Sequence, residues 1–365
     1  MLSYRFHLYP SKTAERTLNR HIDLCRWLYN RLLSELNLAG EKGIKLTMFD
    51  LNNLVADIKK REKPELSEVY SKALQMVAQQ LWYNVRSLAG LKRNGRRVGK
   101  LRFKGAGWFK TLNYNQSGFK LENGKLVLSK VGEVPIKLHR KIGGKVKGVI
   151  IKREHSGKWY AIFQVEDEAE PLPKTGKAVG IDVGVRHFLT DSEGRQVENP
   201  RFYERSLERI RIRHKQLSRK EKGSRNREKA RVRLARAYEK LMNQRNDFLH
   251  KLSRFYVNNY DLIAVENLNV AGMARNCHLA RKILDASWGK FLQLLSYKAE
   301  RAGRRVVEVN PRGTSKNIPE GFDRDYVAAC RILSLGLGRP EVTPAEMGPL
   351  LSVPAQAVSA GKSRL

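Results

Sequence analysis

The hydrophobic pattern of the first 91 residues predicts a strand followed by two helices. Residues 3–9 (SYRFHLY) predict a short strand. Apolar residues recur every three or four positions over 12–36, and again over about 66–91, which predicts two amphipathic helices. A loop is expected at 40–43 between them, where two glycines interrupt the pattern.

From Gly90 onward the pattern changes to short alternating runs separated by Gly and Asn. The run FKLENGKLVLSK predicts a β-hairpin, because Asn123-Gly124 suits the two positive-φ positions of a type I′ turn. Further strands are expected at 147–152 and 158–166. The predicted arrangement is a small β-barrel made of 1–11 and 92–170, with 12–91 inserted as a helical bundle.

The second half predicts a separate α/β domain over 175–335, after a Pro- and acid-rich linker near 167–177. The predicted order begins with a strand at 178–185 and a meander that continues to Pro200, followed by basic helices over 204–258 that divide at Gly223-Ser224. A strand at 260–268, a helix at 288–302, a strand at 304–310 and a last helix starting near Asp325 complete it. That order is the one an RNase H-like fold requires. Residues 336–365 predict a poorly ordered tail.

The charge balance points to a polyanionic partner. The chain of 365 residues has 71 Lys and Arg against 36 Asp and Glu, a formal net charge of +35. Within 204–246 we count 16 Lys or Arg against 5 Glu, more than solubility needs, although a merely solvated hairpin is the alternative. Self-repulsion of this size favours nucleic acid as the partner and excludes a small neutral metabolite as the main ligand.

Cysteines and apolar runs restrict the remaining classes. Cys25, Cys277 and Cys330 lie too far apart for a disulfide framework or a CxxC metal pair, so a reducing cytoplasm is expected and zinc is not. No apolar run approaches the length of a membrane span, so no membrane partner is expected. Tryptophans such as Trp27 and Trp108 are typical of a core, and we assign them no role.

Three carboxylates lie at the ends of predicted elements. Asp182 lies in the first strand of the second half, Glu266 ends the strand DLIAVE, and Asp325 opens the last helix. Strand ends present side chains into the cleft of an α/β sheet. If these elements converge, the three carboxylates form an acidic cluster that requires cations to stay ionised.

Mg²⁺ or Mn²⁺ is the expected cofactor of such a cluster, because these cations prefer hard carboxylate oxygens. Two such ions can activate water and stabilise the leaving oxygen of a phosphodiester, so the predicted chemistry is hydrolysis of a nucleic-acid strand.

Each carboxylate also has a structural interpretation. Asp182 alone could be a strand-to-turn residue, and Glu266 a cap. Asp325 could complement a helix dipole, a role for which Asp323 competes. Asp191 is predicted to be a turn residue rather than a ligand.

The ordered blocks resemble the TnpB family, the OrfB proteins of insertion sequences, which are related to type V CRISPR effectors. The second half carries GIDVGVRHFLTD, the basic helices, DLIAVENLNVAGM, ASWGKFLQLLSYKAERAGRRVVEVNPRGTS and DRDYVAA. The first half carries YRFHLYPSK, RWLYNRLL and FKLENGKLVLSKVGEVPIKLHR. The resemblance therefore covers nearly the whole chain.

This resemblance implies a transposon-associated, RNA-guided DNA endonuclease. It also implies that, along the chain, a wedge-like β-barrel with a helical recognition insert precedes a RuvC-like nuclease domain. It places Asp182, Glu266 and Asp325 on the catalytic positions, in agreement with their places at element ends. The implied partners are a guide RNA transcribed from the transposon end and a double-stranded DNA target, whose sequence is read by base pairing.

The chain departs from the family pattern at two places. The family usually carries a four-cysteine zinc ribbon between the PRGTS block and the last Asp, whereas here KNIPEGF (316–322) follows with no cysteine. This shortening is expected to displace Asp325, and a displacement of about 1 Å can cost on the order of 100-fold in rate. Val327 also replaces a common Asn. The alternative function is therefore a nuclease-defective RNA- and DNA-binding relative, or a decayed transposon copy; a non-guided transposition accessory is a third hypothesis.

Overall fold

The computed structural model describes residues 1–339 and 348–359. The chain divides into two compact units, Met1–Glu168 and Ala169–Leu365. The division falls in the segment 167–177, which contains no helix or strand.

The first unit joins seven strands and three α-helices. These are β1 (Leu2–Leu8), α1 (Lys12–Glu41), α2 (Met48–Asp57), α3 (Ser71–Arg93), β2 (Thr111–Asn115), β3 (Phe119–Glu122), β4 (Lys125–Leu128), β5 (Gly132–Lys137), β6 (Lys145–Arg153) and β7 (Trp159–Glu166). A π-helical turn covers Ile58–Glu62, and 3₁₀ turns cover Pro64–Glu68 and Gln116–Gly118.

The strands of this unit form one antiparallel sheet curled into a nearly closed barrel, in the order β2-β6-β7-β1-β5-β4-β3. Alternate residues point inward, so that Phe6, Leu8, Phe163 and Val165 are buried in one core with the helices. The predicted hairpin is confirmed: β3 pairs with β4 through Asn123 and Gly124, both with positive φ.

The helical part contains one helix more than predicted. Helix α1 begins at Lys12 and is capped by Ser11, whose side chain accepts a hydrogen bond from the Ala14 N–H (3.1 Å). The helix continues through Gly40 to Glu41, so the loop predicted at 40–43 is wrong for its first half. Helix α2 was not predicted, although Leu51, Leu54 and Val55 recur at helical spacing, because the element is only ten residues long and shows few such positions.

The second unit alternates strands and helices after a three-strand meander. Its elements are β8 (Ala178–Asp182), β9 (His187–Asp191), β10 (Arg195–Glu198), α4 (Phe202–Ser218), α5 (Arg225–Asn259), β11 (Leu262–Glu266), α6 (Val270–Met273), α7 (Ala280–Ala286), α8 (Trp288–Arg301), β12 (Arg305–Val309), α9 (Arg324–Leu337), β13 (Leu351–Val353) and α10 (Ala355–Ser359).

The strands of this unit form a mixed sheet in the order β12-β11-β8-β9-β10-β13. Strands β12, β11 and β8 are parallel neighbours, and β8, β9 and β10 form the predicted antiparallel meander. The division of the basic helices near Gly223-Ser224 is confirmed, since α4 ends at Ser218 and α5 begins at Arg225.

The prediction of a poorly ordered tail from residue 336 is wrong for part of that segment. Helix α9 continues to Leu337, and β13 pairs in parallel with β10, where Val353 is buried. The sheet edge supplies hydrogen-bond partners that the Pro- and Gly-rich composition did not indicate. Residues 340–347 and 360–365 of that segment lie outside the described residues.

Two glycines let helix α9 lie directly on the mixed sheet. A Cβ at Gly180 of β8 would lie 2.1 Å from the Ala329 carbonyl oxygen, and a Cβ at Gly336 would lie 2.5 Å from the Ala264 Cβ of β11. Only a residue without a side chain permits this approach. The packing fixes the start of α9 near the carboxyl ends of β8 and β11.

No helix among residues 1–339 and 348–359 is long and apolar enough to cross a membrane.

Candidate metal centre and nucleic-acid interface

Asp182 and Glu266 are the last residues of two parallel neighbouring strands. Strands β8 and β11 pair with each other, and buried Ile181 lies opposite buried Val265. Each carboxylate belongs to the residue that comes directly after this pair. Because parallel strands present their carboxyl ends at the same edge of the sheet, the two acids lie side by side there.

Asp325 is brought to the same edge by helix α9. The competition between Asp323 and Asp325 is resolved in favour of Asp323 as the cap: its carboxylate accepts from the Asp325 N–H (3.0 Å) and the Tyr326 N–H (3.1 Å). The Asp325 carboxylate is thereby left for another role, and its Oδ2 would lie 3.7 Å from a Cβ built on Gly184, two residues after Asp182.

The electrostatics of Asp182 reflect this crowding. Burial, followed by the charges of Glu266 and Asp325, raises the pKa of Asp182 to about 8, while Arg324 acts in the opposite direction. Burial also raises the pKa of Glu266, opposed by a hydrogen bond from Thr314. Asp182 has no hydrogen-bond donor to its carboxylate among the described residues, so its negative charge is opposed by few protein groups.

The other two carboxylates are held by protein donors. The Thr314 hydroxyl donates to Glu266 Oε1 (2.6 Å), and the Arg324 guanidinium donates to Asp325 Oδ1 (2.9 and 3.1 Å). Within the described part of the chain, no three His, Cys, Asp or Glu side chains are gathered closely enough to hold a metal ion. The structure therefore places the three predicted residues at one edge and couples them electrostatically, without closing them into one ligand set.

Sequence reasoning missed two residues that organise this edge. Thr314 is buried and belongs to the PRGTS block that follows β12. Arg331 of α9 donates to the backbone carbonyls of Thr314 (3.3 Å), Lys316 and Asn317 (3.0 Å). Arg331 thus ties the loop 314–317 to the helix that carries Asp325. The only local signal for this role was an Arg seven residues after the start of α9.

Two further predictions from the sequence concern Asp191 and Val327. Asp191 is a turn residue as predicted, since its Oδ1 accepts from the backbone N–H groups of Glu193 (3.0 Å) and Arg195 (2.9 Å). Val327 is buried in α9, where an apolar side chain packs without needing a partner.

The basic hairpin of α4 and α5 has a narrow core and a charged exterior. Its own small hydrophobic cluster is formed by Ile210, Leu234 and Leu241. Arg227 closes the turn by donating to the carbonyls of Leu217 (3.1 Å) and Lys220 (2.8 Å). Lys and Arg outnumber Glu by 16 to 5 over 204–246, and most of these cations are exposed, an arrangement suited to phosphate groups.

Family models match three successive parts of the chain. Residues 162–277 match the OrfB_IS605 model, described as "Probable transposase", and residues 1–45 match a helix-turn-helix domain of the same OrfB group. Residues 288–332 match the TNB domain of Cas12f1-like proteins. These matches define the class: a transposase-type protein of insertion sequences.

Whole-chain relatives identify the family. A Streptomyces pristinaespiralis protein, named as a candidate RNA-guided DNA endonuclease, is 32% identical over 314 residues, covering 84% of this chain and 77% of that protein. InsQ of Escherichia coli K12, named in the same way, is 29% identical over 334 residues, covering 86% of this chain and 81% of InsQ. The chain belongs to the OrfB (TnpB) family.

A solved structure supports the fold. The Cas12f1 chain of a complex with single-guide RNA and target DNA superposes with a TM-score of 0.53 at 12% identity, covering 91% of this chain and 83% of that chain.

Proposed function

We propose that this protein is an RNA-guided DNA endonuclease whose second unit is an RNase H-like (RuvC-like) nuclease domain over about 175–335. The observation that carries the proposal is the environment of Asp182: a carboxylate at the end of β8, withdrawn from water and facing Glu266 and Asp325. A fold has little reason to keep such an acid without a cation to neutralise it.

Asp182, Glu266 and Asp325 would hold Mg²⁺ or Mn²⁺. The donor set fits, because all three supply hard carboxylate oxygens and the raised pKa of Asp182 is the expected cost of leaving their charges unneutralised. The bound ions would supply Lewis-acid activation of water and of the scissile phosphodiester, in the two-metal manner of other nucleases.

The surrounding residues act by positioning these carboxylates. Thr314 fixes the rotamer of Glu266 through its hydroxyl. Asp323 caps α9 and so keeps Asp325 from being used as the cap. Arg324 holds Asp325 through one oxygen, Oδ1, which leaves Oδ2 on the side of Gly184.

The partners of the proposed activity are a guide RNA, transcribed from the transposon end, and a double-stranded DNA target. Base pairing would supply sequence specificity, so the protein needs mainly to grip phosphate backbones, a task for the cations of α4 and α5. Binding to chromosomal DNA would place the protein at the nucleoid. The relatives named as RNA-guided DNA endonucleases, and the Cas12f1 complex with single-guide RNA and target DNA, support these partners.

The test is purification from the native host, sequencing of the bound RNA, and incubation of that complex with matching DNA and Mg²⁺. Wild type is expected to cut the matched DNA, and Asp182→Ala to bind it equally without cutting. No discrete bound RNA, or no cutting under conditions in which a ribbon-containing relative cuts, would overturn the proposal.

A nuclease-defective binding protein is the second candidate. It is favoured by the absence of a closed three-residue ligand set in the described residues and of cysteines for a ribbon. It predicts equal binding of RNA and DNA by wild type and Asp182→Ala, with no cleavage by either.

A further inference from the structure

The segment 91–110 of the first unit combines cations with exposed aromatic rings. It contains eight Lys or Arg and no Asp or Glu. Most of these cations are exposed, as are Phe103 (58% exposed) and Trp108 (75% exposed). Of the five tryptophans, all within the described residues, only Trp108 is largely exposed, so its expected place in a core is wrong.

This segment is anchored although it contains no regular element between Asn94 and Lys110. The Asn30 side chain of α1 pairs with the Lys104 backbone twice, donating to its carbonyl (3.0 Å) and accepting from its N–H (2.7 Å). Phe109 is buried, with its ring 6.1 Å from that of Tyr29. Core contacts therefore hold the segment on both sides of Trp108.

The backbone turn between these two anchors directs the Trp108 side chain outward. The Trp108 N–H donates to the Gly105 carbonyl (3.1 Å), and Gly107 has a φ of +77°, which a residue with a side chain rarely adopts. The fold thus exposes the largest apolar side chain while burying its neighbour Phe109. Exposure alone is shared by Phe49, and what distinguishes Trp108 is the run of eight cations with no acid that surrounds it, an arrangement typical of a nucleic-acid-binding surface.

We propose that Trp108, assisted by Phe103, stacks on unpaired bases of a nucleic-acid strand whose phosphates are held by the flanking cations. Duplex DNA hides its base faces, so exposed rings match an unpaired strand, and aromatic rings between cations are the usual platform for one. The proposal rests on nucleic-acid binding, as in the proposed function, and not on cleavage.

The test follows tryptophan emission of the full-length protein during titration with a 12-nucleotide oligoadenylate, with Trp108→Phe as the reference because it keeps the other four tryptophans. Emission of wild type is expected to fall on binding, and emission of Trp108→Phe is expected to stay nearly constant. Trp108→Ala should bind roughly 5- to 100-fold more weakly, the range for loss of one stacked base, whereas Trp108→Phe should stay near wild type because it keeps a ring. The fluorescence change locates the strand, because the basic hairpin also binds phosphates and affinity alone does not.

Two controls separate stacking from charge and from general exposure. An abasic 12-mer carries the same phosphates and should bind Trp108→Ala and wild type equally, without quenching. Phe49 is 72% exposed on α2, outside the basic segment, so Phe49→Ala should bind like wild type. The salt dependence of oligoadenylate binding should be the same for Trp108→Ala and wild type, since its slope counts phosphates.

The proposal is overturned if wild-type emission does not respond to oligoadenylate, or if it falls equally in Trp108→Phe. It is also overturned if Trp108→Ala weakens binding of the abasic strand as much as binding of oligoadenylate, or if anionic lipid vesicles change the emission and oligoadenylate does not. A wild type that cuts guided DNA with Trp108→Ala unaffected in binding would overturn this inference alone. A wild type that binds no nucleic acid would overturn the proposed function as well.

Discussion

Asp182 and Asp191 lie on neighbouring strands of the mixed sheet, where Ile181 pairs with Asp191, yet their surroundings are opposite. Burial raises the pKa of both carboxyls. Around Asp191 the neighbouring groups lower the pKa, because Arg195 and the Tyr256 hydroxyl donate hydrogen bonds to Oδ2 at 2.8 and 2.9 Å. Around Asp182 the charges that most affect its pKa are two further carboxylates, Glu266 and Asp325.

The comparison shows that a raised pKa alone does not distinguish a structural acid from a functional one. Asp191 is buried with its neutralising partners and serves the β9–β10 turn. Asp182 is placed with acids that oppose its ionisation, which is a cost to the fold. We infer that the fold keeps this cost because a cation binds there and neutralises the charge. Substituting each aspartate in turn tests whether the two differ in this way.

The largest expected effect is on catalysis. Asp182→Asn should lower Mg²⁺-dependent cleavage of guide-matched DNA by about 10,000-fold, because losing a metal ligand removes several kcal/mol of transition-state stabilisation. Asp191→Asn should cut at a near-normal rate per folded molecule. Single-turnover cleavage, normalised to bound DNA, makes the comparison, and equal losses in both variants would erase the distinction.

The next effect is on stability and falls on the other residue. Asp191→Asn should lower the free energy of unfolding by about 3 kcal/mol, because the Arg195 guanidinium, only slightly exposed, loses its close carboxylate partner (2.8 Å) and keeps only the more distant Glu193 (3.7 Å). Urea unfolding measures the change. Asp182→Asn is the matched control and should not be destabilised; a loss of similar size there would mean that Asp182 is also structural.

A smaller effect is expected at Thr314. Thr314→Val keeps the shape but removes the donor to Glu266, and should reduce cleavage roughly 10- to 100-fold, the usual range for a group that orients a metal ligand. Thr314→Ser, which keeps the hydroxyl, should recover most of the rate. The Mg²⁺ concentration that gives half-maximal cleavage should change in Thr314→Val if Thr314 orients a metal ligand. A general structural defect would leave that concentration unchanged.

The smallest effect is a pH dependence of stability in metal-free protein. The pKa of the Asp182 carboxyl is about 8 in the folded protein, against 3.8 for an aspartate exposed to water. Between about pH 4 and pH 8 unfolding therefore releases a proton, so this group lowers the free energy of unfolding as pH rises. Asp182→Asn should be more stable than wild type by about 1 kcal/mol or more at pH 8 and should lose this advantage near pH 4. A pH-independent difference would contradict the assignment.

Much of the fold is contained in local sequence patterns. The hairpin at Asn123-Gly124, the division of the basic helices and the parallel strands 262–266 and 305–309 follow from alternation, turn residues and helical periodicity. The positions of Asp182 and Glu266 at the ends of strands were also predictable, because each acid closes an apolar run.

The remainder depends on contacts between distant residues. Nothing local distinguishes Trp108 from Phe109, of which one is exposed and the other buried, since the choice is made by anchors on α1 and by a glycine turn. The roles of Thr314 and Arg331 depend on how closely α9 approaches the sheet, which Gly180 and Gly336 permit. The pairing of β13 with β10 depends on an open sheet edge.

The most direct test of the central claim is a Mg²⁺ or Mn²⁺ titration of metal-free protein at pH 7.5, followed by the thermal midpoint of unfolding. A cation held by Asp182, Glu266 and Asp325 should raise the midpoint of wild type and of Asp191→Asn, because a ligand that binds only the folded state stabilises it, and should leave Asp182→Asn unchanged. A wild type without a response, or an Asp182→Asn variant with the full response, would contradict the claim that this carboxylate edge binds the catalytic metal.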